Sequence, residues 1–66
     1  MRPIRRGDRG PAVTEIRSVL TRLDTSFPAG DLFDEETERA VRAFQQQRGL
    51  TVGGDVDEET WLALDA

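Results

Sequence analysis

Leu32–Val41 reads LFDEETERAV, and near the end of the chain Asp55–Leu64 reads DVDEETWLAL. Each copy runs from an apolar residue through Asp to Glu-Glu-Thr. Asp is among the strongest helix N-caps, because its carboxylate accepts from free N–H groups of the first turn. Glutamates in that turn favour the positive end of the helix dipole, by about 0.3–1 kcal/mol each. Both stretches therefore read as helix starts, with Asp34 and Asp57 as caps. Phe33 and Val56 precede the caps and are placed to fold back on the first turns as hydrophobic staples. Superposition pairs Phe33 with Val56, Thr37 with Thr60, Ala40 with Ala63 and Val41 with Leu64. One structural unit is used twice.

Outward from the first copy, the spacing predicts a helix over 35–48, with Ala40, Val41 and Phe44 facing inward and Gly49 as a left-handed stop. The second copy predicts a shorter helix over 58–64. Upstream, PAVTEIRSVLTRL sets Val13, Ile16, Leu20 and Leu23 on one stripe of a helix over 11–23, leaving Thr14, Glu15, Arg17 and Arg22 elsewhere on the wheel. Pro11 suits a first turn, where the N–H it lacks has no intrahelical partner. DTSFPAGD and LTVGGDV are turn-rich connections. The expectation is an all-α, compact three-helix bundle with an internal repeat, in one domain of residues 1–66 whose residues 1–3 form a flexible arm.

A chain of 66 residues has room for one core, since a domain this size buries only about 60% of its unfolded surface. It has no Cys and no His, so neither a disulfide nor the usual zinc ligands contribute, and the core rests on helix packing. The net charge of -4 argues against nucleic acid as a partner, because phosphate binding needs a basic surface. Charge is uneven: residues 1–33 hold six Arg against four acids, and residues 34–66 hold three Arg against nine. MRPIRRGDRG at the front reads as a solvated, partly flexible arm, or as a patch that meets an anionic polymer. Nothing in the sequence resembles a membrane span or the apolar segment of a signal peptide. The expected location is the cytoplasm if Met1 is the native start, or the cell wall and extracellular space if the domain is cut from an exported chain.

Catalysis is not expected. Triad chemistry lacks its base, and Glu35 and Glu36 point about 100° apart on a helix, so they cannot converge on one substrate atom. A helix N-terminus also opposes the raised pKa that a proton donor requires. DVDEET lacks the central Gly and terminal Glu of a calcium loop. Arg39, Arg42 and Arg48 lie on the middle helix, yet that helix opens with acids, unlike a DNA-recognition helix. No metal, cofactor or catalytic residue is assigned.

The repeat has one uneven register. Trp61 and Leu62 fall where the first copy has Glu38 and Arg39. If both helices present equivalent faces, Trp61 and Leu62 are at least partly exposed; if the last helix is rotated, Trp61 completes the core.

IRRGDRGPAVTEIRSVLTRL, FDEETERAVRAFQQQRGLTV and VDEETWLAL together resemble the peptidoglycan-binding domain family of bacterial cell-wall hydrolases, a three-helix module built from two repeats. Its Ala-Val-x-x-Phe-Gln motif falls on Ala40, Val41, Phe44 and Gln45, and its Gly-Leu on Gly49 and Leu50. A partly buried amide must find partners, which makes Gln45 a structural bridge to the 51–56 loop. The chain departs from the pattern at Arg17, where Gln is usual, at Asp34 and Asp57, where Gly is usual, and at Gly53-Gly54-Asp55, where Asp-Gly is usual.

The resemblance implies a non-catalytic, monomeric module that holds an attached cell-wall hydrolase, such as an amidase, on peptidoglycan, within a longer multidomain protein. Its ligand would be the glycan strand, the stem peptide or both. An aromatic face suits sugar C–H groups, amides suit N-acetyl groups and guanidinium suits carboxylates. On that basis Trp61, Arg42, Gln46, Gln47 and Arg48 are the candidate ligand-binding residues. The alternative is a protein-interaction module that keeps the scaffold and acts with an intracellular partner in wall synthesis.

Overall fold

The computed structural model describes residues 2–24 and 27–65. Three helices follow in order: α1 (Pro11–Leu23), α2 (Glu35–Gln47) and α3 (Glu58–Asp65). Their starts are those the caps predict. Asp34 accepts from Thr37 N at 2.9 Å and Asp57 from Thr60 N at 2.9 Å, while α1 starts at Pro11 without a side-chain cap. After Arg48, Gly49 adopts φ 71°, and its N–H donates to Gln46 O.

Val13, Ile16, Leu20, Phe27, Phe33, Val41, Phe44, Val56 and Leu64 form the core. Phe33 and Val56, the apolar residues before the two caps, are both fully buried. The repeat extends to burial. Thr37 and Thr60 are buried, Ala40 and Ala63 half-buried, and Val41 and Leu64 buried. The last helix is therefore not rotated relative to its counterpart: Trp61 is half-buried against the core and Leu62 is 60% exposed.

Two expectations for α1 are corrected. Leu23 is 55% exposed, because α1 ends there and little of the core lies beyond it. Arg17 is only 5% exposed. It lies on the helix flank nearest the linker into α2, which wraps its guanidinium in acceptors. Nη1 donates to Leu32 O at 2.7 Å and Thr37 Oγ1 at 2.9 Å, and Nη2 donates to Pro28 O at 2.9 Å. Asp34 Oδ1 stands 3.3 Å from Nη1, and the cation lies 5.0 Å from the Phe27 ring centroid. A Cβ on Gly30 would sit 3.2 Å from Arg17 Cζ, so glycine lets the linker pass this close.

Gln45 on α2 is the counterpart of Arg17 on α1. Fully buried, it uses its whole amide: Nε2 donates to Asp55 O and Thr60 Oγ1, and Oε1 accepts from Gly53 N and Gly54 N. Leu32 and Thr37 correspond to Asp55 and Thr60 in the repeat, so each helix sends one side chain to the same two places at the next helix start. The bridge expected of Gln45 is present.

The front of the chain joins both copies. Ile4 and Val56 exchange backbone hydrogen bonds at 3.0 and 2.7 Å, Gly7 N donates to Phe33 O, and Phe33 N donates to Asp8 O. The backbone from Ile4 onward is thus docked and not a free arm, while the side chains of Arg5, Arg6 and Arg9 remain exposed.

Candidate functional site

Because side chains on α2 spaced by three or four share a face while neighbours diverge by about 100°, the Gln-Gln-Gln-Arg run cannot act as one patch. Gln45 points inward. Arg42 leans on the Gly54 turn, where a Cβ would meet its Nε at 3.1 Å, and pairs with Glu38 at 3.6 Å. Gln46 is exposed. Gln47 lines a shallow, largely apolar groove with Leu20, Leu23, Phe27 and Ala43 on the α1 side. Arg42 and Gln46, four residues apart, share one exposed flank, while Gln47 faces the α1 side, so the three do not form one site.

Trp61 and Arg48 line two neighbouring hollows that share four residues. Trp61 lines a cleft between α1 and α3 with Glu15, Ile16, Val19, Leu64 and Asp65. The adjoining groove, of about 370 Å3, shares Glu15, Val19, Leu64 and Asp65 and adds Arg22, Leu23, Phe44 and Arg48. The small Trp61 cleft, of about 20 Å3, thus adjoins this groove across a shared wall of α1 and α3 residues, and the two form a depression beside the C-terminal turns of the three helices. Its floor is aliphatic and aromatic, and its rim carries two carboxylates and two guanidiniums. Arg48 lies 4.9 Å from the Phe44 ring centroid, which holds its cation over the floor.

Most arginines elsewhere have a carboxylate partner. Arg2 pairs with Asp8, Arg6 with Glu35 and Glu38, Arg9 with Asp31, Arg17 with Asp34 and Arg39 with Glu35, at 2.7 to 3.9 Å. Arg5, Arg22 and Arg48 have no such carboxylate among the described residues. The two caps lie away from the depression. Hydrogen bonds from Thr37, side chain first and then backbone, hold Asp34 below the ordinary carboxylate range, with Arg17 adding to the effect. Thr60 does the same for Asp57, chiefly through its backbone N–H. Such carboxylates stay ionised and are poor proton donors.

Sequence reasoning missed Glu15, Val19, Arg22 and Asp65 as site residues. The one available signal was that Glu15, Val19 and Arg22 share a helical flank at spacings of four and three; nothing local placed that flank beside Asp65.

Comparison with known proteins accords with this architecture. Residues 9–64 match the family described as putative peptidoglycan binding domain. The chain is 47% identical over 72 aligned residues to N-acetylmuramoyl-L-alanine amidase CwlM of Mycobacterium tuberculosis, covering 92% of this chain and 18% of that protein. The chain thus spans less than a fifth of the length of this curated relative. The crystal structure of the SleB N-terminal domain superposes with a TM-score of 0.90 at 31% identity, covering 97% of this chain and 89% of that one.

Proposed function

Since the chain belongs to the peptidoglycan-binding domain family, we propose that it is a non-catalytic module that binds peptidoglycan and holds an attached cell-wall hydrolase on its substrate. The observation that carries this reading is the family match over 9–64, which takes in every element of the bundle. Its relative CwlM bears the name of an amidase, which supports a hydrolase as the attached domain and the cell wall as the place of action. The α1–α3 depression is the binding face, with Trp61 as its aromatic wall and Arg48 as a cation at its rim. Arg42 and Gln46 share another flank of α2 and Gln47 faces the α1 side, and all three take a secondary part. A domain of net charge -4 meeting an anionic wall binds weakly on its own and gains from linkage to further wall-binding or catalytic units.

Co-sedimentation with purified peptidoglycan sacculi tests this. The domain is expected in the pellet, and Trp61→Ala is expected to reduce its share severalfold while keeping its helical circular dichroism. Wild-type protein left in the supernatant at sub-millimolar concentration would overturn the proposal.

A further inference from the structure

The rim of the α1–α3 depression is chemically specific. Arg22 and Arg48 make no ion pair among the described residues, nor do Glu15 and Asp65; Arg5 and several acids elsewhere are unpaired too, but here both signs line one groove. Charges of both signs, left unmatched around an apolar floor of Val19 and Leu64, fit a ligand that carries both signs itself. A neutral sugar has no use for them.

Resting on the peptidoglycan reading, we propose that this depression recognises the peptide branch and not the glycan strand. The ligand group is a zwitterionic end of a diamino acid. Its free carboxylate is held by Arg22 and Arg48, and its free ammonium by Glu15 and Asp65 beside the helix C-termini. Guanidinium pairs carboxylate with two parallel N–H donors, and an ammonium between two carboxylates is a compact point charge. Trp61 packs along the apolar stem of the branch.

The test uses isothermal titration of the 66-residue chain with a synthetic branch peptide that ends in the zwitterion. Two companion peptides have the end carboxylate amidated or the ammonium acetylated. Each block is expected to weaken binding roughly tenfold, the effect of one lost charge-assisted contact. Arg22→Gln/Arg48→Gln should weaken binding of the unblocked peptide as much and become insensitive to amidation. Glu15→Gln/Asp65→Asn should become insensitive to acetylation. Arg5→Gln/Arg39→Gln, which makes the same charge change outside the depression, should leave affinity within twofold. All these side chains are at the surface, and circular dichroism checks that each variant folds. Equal binding of blocked and unblocked peptides, or equal loss in the Arg5/Arg39 variant, would overturn the proposal. Glycan strands stripped of peptide separate the two readings. If they are retained as well as intact sacculi, the peptide assignment is wrong and the wall-binding function stands; if intact sacculi are not retained, the function itself fails.

Discussion

Arg17 and Gln45 occupy equivalent places in the two halves of the chain and perform the same task with different electrostatics. Each reaches from one helix to a carbonyl and a threonine hydroxyl at the start of the next. Gln45 is neutral, and all four hydrogen-bonding positions of its amide are used. Arg17 spans a longer linker, reaching back to Pro28 as well, but its Nε finds no partner among the described residues. Its buried charge also requires the Asp34 cap as counter-ion. The second half is therefore held by a satisfied neutral network. The first is held by a charge whose value depends on its partner, since burying a charge is tolerable only when it is paired.

Substitutions at these places should break the two halves by different amounts. Gln45→Leu should have the largest effect, about 3 kcal/mol, because it strands the buried N–H of Gly54 and removes the partners of Thr60 Oγ1, Gly53 N and Asp55 O. Stability of about 0.05–0.15 kcal/mol per residue is typical of small domains. Urea unfolding should therefore find that this variant of the 66-residue chain has lost roughly a third or more of a stability of about 3–10 kcal/mol, whereas a loss below about 1 kcal/mol would show that the loop holds itself.

The caps separate the halves more sharply. Asn caps a helix about as well as Asp, so Asp57→Asn should cost under about 0.5 kcal/mol. Asp34→Asn keeps the cap but deprives Arg17 of its counter-ion, and should cost about 1.5 kcal/mol. Pairing Asp34→Asn with Arg17→Gln should recover part of that loss, with a coupling of about 1 kcal/mol in a double-mutant cycle. Strict additivity would mean that the two charges do not interact.

Acid gives the smallest and broadest effect. Asp34 and Asp57 both have folded-state pKa values lowered by their first-turn hydrogen bonds. A depressed carboxylate contributes stability in full above the unfolded value, about 3.9, and loses it as pH falls through the lower folded value. Thermal midpoints should accordingly be flat from neutral pH to about 5 and fall below about 4. Each Asn substitution should flatten its share of that fall.

Much of the fold was legible because its causes are local. Two Asp caps with their apolar predecessors, the stripe through Val13, Ile16 and Leu20, and Gly49 with φ 71° are each determined within a turn or two of chain. Gln45 was legible as well, since an amide between buried Val41, Phe44 and a glycine-rich loop must find partners there. Arg17 was not. It lies about 40° from Val13 on the wheel, where an arginine normally lays its stem along the surface and keeps its head in water. Only the wrap of residues 28–32 around the guanidinium buries it, and that is a tertiary event. The proposed binding face was legible in halves. Trp61 stood out against Glu38 in the repeat, and Arg48 as the cation ending α2. Their convergence with Glu15, Arg22 and Asp65 depends on how three helix ends meet, and the Gln-Gln-Gln run suggested a patch that helical geometry disperses.

The repeat itself supplies the control for the functional claim, because Glu38 and Arg39 occupy the positions on α2 that Trp61 and Leu62 occupy on α3. Titration of the labelled domain with soluble peptidoglycan fragments, followed through amide NMR shifts and the indole signal of Trp61, measures which copy meets the ligand. The account predicts perturbations concentrated at Glu15, Val19, Arg22, Arg48, Trp61 and Asp65, with the face around Glu38, Arg39 and Arg42 unmoved. Shifts concentrated on that α2 face, or none anywhere, would contradict it.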